Sequence, residues 1–175
     1  MKAAVLLGAA LLAGCAGGLV HRDHPLAGRV WDVRAGAFVS AEAMLQRAAQ
    51  AKHVILGETH DNPEHHRLQL SALEALARHR PVRTLAMEQF DAEHQAAMDA
   101  ARVRAPDADS LADAGQFDRQ GWNWPLYRPL VEFALRNGWP LAAANLARSE
   151  ARAVVAEPAR AGLPPASQAV ADALA

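Results

Sequence analysis

An α/β domain is what this sequence predicts: a parallel-sheet core with flanking helices, a short N-terminal hairpin, and a sheet left incomplete for want of a closing element. Three observations carry that prediction. Short apolar runs, Val54-Ile55-Leu56, Leu85-Ala86-Met87 and the weaker Leu141-Ala142-Ala143-Ala144, read as strands buried on both faces, as parallel strands are. Helical stretches with one apolar stripe alternate with them. Boundary residues fall between the two kinds of segment, among them Asn62-Pro63 before a helix and Gly138 with Pro140 after one. Three strands are few for such a sheet, so either the coding sequence is a fragment or a partner chain covers the open side.

From the N-terminus, Met1-Lys2 is a basic start and Ala3 to Leu12 an apolar run too short to span a bilayer. Leu12-Ala13-Gly14-Cys15 then resembles a bacterial lipobox, whose cysteine becomes the lipidated first residue. That resemblance implies a signal peptide over residues 1–14 and a lipid anchor at Cys15. Ala16, in place of an acidic residue, favours the outer membrane, with the domain facing the periplasm. Residues 15–27 form a small-residue tether, and the domain proper is expected over residues 28–175.

Arg29 to Val39 alternates around Gly36 and reads as a hairpin. Ser40 caps a helix to about Ala51, followed by a strand over His53–Gly57 and a helix from Pro63 to about His79. On that helix Leu70, Leu73, Leu76 and Ala77 share one stripe, while Glu64, Arg67, Ser71, Glu74 and Arg78 lie opposite. His65, His66 and Gln69 continue the inward stripe at its N-terminal end, so the buried face turns polar where a crevice should open. The next strand, Thr84 to Met87, ends in Glu88-Gln89-Phe90. Helices follow over about Ala92–Arg102 and Asp107–Ala114, then an aromatic loop over Phe117–Trp124 and a helix over Pro129–Asn137. After the last strand and Asn145, the segment from Ser149 to Ala175 reads as Ala-rich helix broken at Pro164-Pro165.

Composition narrows the chemistry. A net charge of −1 gives no electrostatic case for nucleic acid. A single cysteine excludes disulfides within the chain and thiolate metal sites, so any metal or cofactor must be held by nitrogen and oxygen. There are eight histidines, and four of them fall between His53 and His66. No Gly-rich phosphate loop, nucleophile elbow or HExxH helix is present.

The run Leu-Gly-Glu-Thr-His-Asp-Asn-Pro-Glu-His-His over residues 56–66 lies where a strand turns into a helix, the place where open α/β sheets bind ligands. Glu58 and His60 are two apart at a strand end and point the same way; Glu88 ends a neighbouring strand and Asn145 a third. A carboxylate and an imidazole converging there can bind a divalent metal, act as acid and base, or grip a polar ligand. His53, His79 and His94 read as solvated surface residues. Aromatic residues make up only 5 % of the chain, yet Phe117, Trp122, Trp124 and Tyr127, the sole tyrosine, crowd together. They fit either a flat apolar ligand or a lid over the core. A phenolate oxygen is also one of the few protein ligands that holds haem iron.

The strings LGETHDNPEHHRLQ, MEQF, WNWPLYRPLVEFA and PLAAANLAR, in that order, resemble the ChaN-like haem-binding lipoproteins, part of a superfamily with Tiki proteases and erythromycin esterases. The resemblance runs from about Arg29 to Arg148. It implies an α/β domain in which two subunits enclose a stacked pair of haems, a tyrosine of one holding iron and a histidine of the other holding the propionates. Here Tyr127 would be that tyrosine, and His65 or His66 the histidine, with Trp122 and Trp124 against the ring. The implied role is haem or iron acquisition, in partnership with a second subunit and an outer-membrane haem receptor. The related hydrolases use the strand-end groups, here Glu58, His60 and Glu88, for chemistry, so a metal-dependent esterase or peptidase is the alternative. Family members continue well past the length of this chain, which favours binding over turnover.

Overall fold

The computed structural model describes residues 23–79 and 83–156, so Cys15 and the Pro164-Pro165 break lie outside the described residues. The chain divides into two compact units, one ending at Met44 and one beginning at Leu45. In the first, β1 (Val30–Asp32) and β2 (Ala37–Val39) form the expected antiparallel hairpin, with Trp31 opposite Phe38. Asp32 Oδ1 accepts from the amides of Arg34 and Ala35 at 3.0 and 3.1 Å, and Gly36 takes the left-handed φ of 61° that closes the turn. Ser40 caps α1 (Ala41–Gln50) through its hydroxyl, which accepts from Ala43 N at 3.1 Å.

The second unit holds the core. Asn62 starts α2 (Pro63–His79): its side-chain oxygen accepts from Glu64 N at 3.0 Å, and its carbonyl from His65 N. Leu73 and Leu76 are buried as their spacing requires, and Glu74, Arg78 and Ser71 are exposed. β3 (Leu85–Asp91) pairs in parallel with β4 (Leu141–Asn145), with Leu85 opposite Leu141 and Asp91 opposite Asn145. Between Met87 and Asp91 the register slips, so Glu88, Gln89 and Phe90 occupy a bulge of the kind that re-aims side chains beside sites.

A 3-10 turn over Ala92–His94 leads into α3 (Gln95–Arg104), and Asp107 caps α4 (Ala108–Ala114) by accepting from Ser110 N at 2.9 Å. Gln95 borders β4: its amide donates to Leu141 O at 3.0 Å and accepts from Ala143 N at 2.7 Å, standing in for a strand neighbour. Next comes α5 (Trp124–Arg136), which ends in two crossing bonds, Trp139 N to Ala134 O and Gly138 N to Leu135 O, with Gly138 at φ 67°. The chain is described through α6 (Arg148–Ala156). Phe90, Met98, Leu111, Val131 and Trp139 are fully buried at the centre of this unit. Among the described residues no helix is long and apolar enough to cross a membrane.

Two expectations need correction. The segment 53–57 is not a buried strand: it joins no ladder, Val54 alone packs on the core, and Ile55 is 93 % exposed. Its composition suits a strand, but a strand also needs a neighbour, and the parallel ladder among the described residues consists of β3 and β4 alone. The helix expected at Pro129 begins five residues earlier, at Trp124, with Pro125 in the first turn and Pro129 inside. Buried Trp124, Tyr127, Leu130, Val131 and Ala134 form one stripe, and that packing outweighs the hydrogen bond Pro129 cannot make.

Candidate functional site

With no ladder to hold it, the loop over residues 56–60 is held by the polar end of α2. Gln69 Nε2 donates to Leu56 O at 3.3 Å, His65 Nδ1 accepts from Thr59 N at 2.8 Å, and His66 Nε2 donates to His60 O at 3.0 Å. A carbonyl only accepts and an amide only donates, so these partners fix the protonated nitrogen of each ring. His66 is 4 % exposed, and its Nδ1 lies 3.3 Å from Glu58 Oε2, within ion-pair reach but without hydrogen-bond alignment.

The carboxylate of Glu58 is the hub. Its side chain is 6 % exposed, and Oε1 accepts from Tyr127 Oη at 2.5 Å and from His60 Nδ1 at 3.0 Å. Burial works to raise its pKa, but the hydrogen bonds from Tyr127, His60 and Gln69 and the nearby His66 outweigh it, holding Glu58 below the usual carboxylate value. Burial, then the hydrogen bond to Glu58 and its negative charge, push the Tyr127 phenol well above its ordinary value. The phenol ring is 1 % exposed, with His66 4.6 Å away edge-on and Trp122 at 5.7 Å.

Above this closed layer His60 is open, its side chain 58 % exposed and its ring 4.6 Å from half-buried Trp122. Glu88 comes in from the bulge of β3, so that one ligand atom each from Glu58, His60 and Glu88 lie within 4.8 Å of one another. Modest side-chain adjustment would close that set on a divalent ion, which takes bonds of about 2.0–2.2 Å to nitrogen and oxygen.

Glu58, His60 and Glu88 are thus brought together, though from a loop and from a bulge within β3 and not from strand ends as expected, whereas Asn145 pairs with Asp91, 2.8 Å from its Nδ2. Trp124 is buried, with its indole nitrogen donating to Asp109 at 2.7 Å and its ring against Phe117. A second group, Asp91, Glu93 and His94, also converges, where the sequence placed only a surface histidine. The acidic spacing after Phe90 was the signal for it.

An α/β domain with a Glu/His/Tyr network on a loop held by the polar end of α2 defines the class. The family model described as "Haem-binding uptake, Tiki superfamily, ChaN" matches residues 44–174, and the chain belongs to that family. A solved structure titled "Cofacial heme binding to ChaN of Campylobacter jejuni" is similar to it, at 24 % identity and a TM-score of 0.64. That match covers 79 % of this chain and 55 % of the other, so this chain spans little more than half the length of the protein it resembles. A search of curated proteins gave no match.

Proposed function

We propose that this protein binds haem at the rim formed by His60, Trp122 and the Glu58 loop, and serves haem or iron acquisition. The single observation that carries the reading is membership of the haem-binding uptake family over residues 44–174. The rim's chemistry supports it. An exposed imidazole beside a half-buried indole offers nitrogen to a metal and an apolar edge to a flat ring. His65 keeps its free proton on Nε2, because Nδ1 accepts from Thr59 N, and so can donate to a propionate.

Lipid attachment at Cys15, with the domain held at the periplasmic side of the outer membrane, belongs to the same proposal, as do a second copy of the chain and an outer-membrane receptor as partners. Haem titrated into the protein and followed by absorbance tests the reading: saturable uptake with a shifted Soret band is expected, and absence of any shift refutes it. Labelled palmitate lost in Cys15→Ala tests the anchor.

A second reading rests on the convergence of Glu58, His60 and Glu88. It makes the protein a hydrolase dependent on a divalent metal, whose ion polarises an ester or amide carbonyl. Elemental analysis showing bound zinc, manganese or cobalt, with activity lost in Glu58→Gln, is the outcome it requires.

A further inference from the structure

We infer that the N-terminal hairpin docks on the headgroup layer of a bilayer containing anionic lipid, an inference that rests on the lipid attachment at Cys15 proposed above. β1 and β2 each give one large aromatic residue to a single face, because Trp31 and Phe38 are cross-strand partners. Their rings meet edge-on at 4.8 Å, yet Trp31 stays 51 % exposed and Phe38 41 %. Pairing explains why the rings touch. It does not explain why they stay exposed, nor why the turn beside them is apolar as well. Turns favour glycine, proline and small polar residues, but this one begins with Val33, which is 85 % exposed. Leu26, just ahead of β1, is 56 % exposed.

Two cations accompany these side chains. The Arg29 guanidinium lies 3.9 Å over the Phe38 ring, and Arg34 follows Val33 in the turn. Asp32, the acid of the hairpin, is turned onto the amides of Arg34 and Ala35. Aromatic rings with a cationic edge suit the bilayer interface, where rings sit at headgroup level and guanidinium groups meet phosphate. The anchor favours a bilayer over a protein as the occupant. Trp31 follows Cys15 by 16 residues, a length that reaches no further than about 55 Å even when fully extended. With Cys15 acylated, the hairpin is the first described element beyond the lipid, and it meets lipid at high effective concentration. An open two-stranded sheet has unpaired backbone groups at its edges, so it lies in the headgroup layer and does not cross the hydrocarbon.

The test uses the full acylated protein reconstituted into phosphatidylcholine vesicles containing phosphatidylglycerol, with bromine on the acyl chains close to the headgroups. Bromine quenches tryptophan on contact. Of the four tryptophans Trp31 is exposed, Trp122 half-buried, and Trp124 and Trp139 buried. Wild type is expected to show quenched, blue-shifted emission, and Trp31→Phe is expected to lose the quenching. Val33→Asp, at an exposed position, should lose it with an unchanged thermal melt. Arg34→Gln should shift the hairpin about five-fold from lipid toward water, and so weaken the quenching. Protein that floats with the vesicles but shows no quenching, or the same quenching in Trp31→Phe, overturns the inference. So does a blue shift of Trp31 in Cys15→Ala protein that forms without vesicles and is lost on dilution, which would give this face to a second copy. Protein that carries no acyl group at Cys15 overturns instead the reading on which the inference rests.

Discussion

Replacing Tyr127 with phenylalanine removes one oxygen atom and leaves the packing of the ring against His66, Phe117 and Trp122 in place. What is lost is a hydrogen bond to an ionised, buried carboxylate, a class that contributes about 1.5–3 kcal/mol. Glu58 keeps His60 and Gln69 as donors and His66 nearby, so the cost should fall toward the lower part of that range, about 1.5–2 kcal/mol at pH 7. The sign of the pH dependence follows from the direction of each shift. Glu58 is depressed in the folded protein, so its contribution is present above its unfolded value of 4.5 and fades as the pH falls through the lower folded value. Tyr127 is raised, so its contribution holds below its unfolded value of 10.0 and fades as the pH rises through the higher folded value. The stability difference between wild type and Tyr127→Phe should therefore be flat across neutral pH. In acid it should shrink toward the value of a neutral hydrogen bond, about 1 kcal/mol. Urea denaturation at a series of pH values measures this difference. A difference below about 0.5 kcal/mol at pH 7, or one that does not change on acidification, would refute the charge-assisted bond.

Other perturbations test the frame around the site. Gly115 has an ordinary backbone, yet a Cβ there would meet Phe90 Cδ1 at 2.5 Å and Met98 Sδ at 3.0 Å. Gly115→Ala should thus cost about 1–3 kcal/mol by overpacking instead of giving the usual entropic gain, as denaturant midpoints would show. Asn62→Ala removes the cap of α2 and should cost about 1 kcal/mol in the same measurement. Because α2 carries the three side chains that hold the Glu58 loop, Asn62→Ala should also speed amide exchange at Thr59.

Local signals were readable and distant ones were not. Asn62-Pro63 and Gly138 announce helix ends because a cap and a left-handed glycine involve only near neighbours. The helical phase of α2 places His65, His66 and Gln69 inward, and so it proves, but their partners are backbone atoms of residues 56–60, which no periodicity specifies. Val54-Ile55-Leu56 has the composition of a strand, and composition names no ladder partner. Pro129 reads as a helix start, because proline favours first turns, while the buried stripe from Trp124 onward shows that packing set the boundary. That earlier start draws Tyr127 from an aromatic loop into a buried stripe and its hydroxyl onto Glu58. Glu58, His60 and Glu88 do converge as expected, but from a loop held by α2 and a bulge inside β3 instead of from strand ends, and which groups around them stay open to a ligand depended on packing.

Titration of the protein with ferric haem, followed at the Soret band, bears most directly on the central claim. The account predicts a saturable, shifted band for wild type. A spectrum indistinguishable from haem in buffer, at protein concentrations well above that of haem, would contradict it.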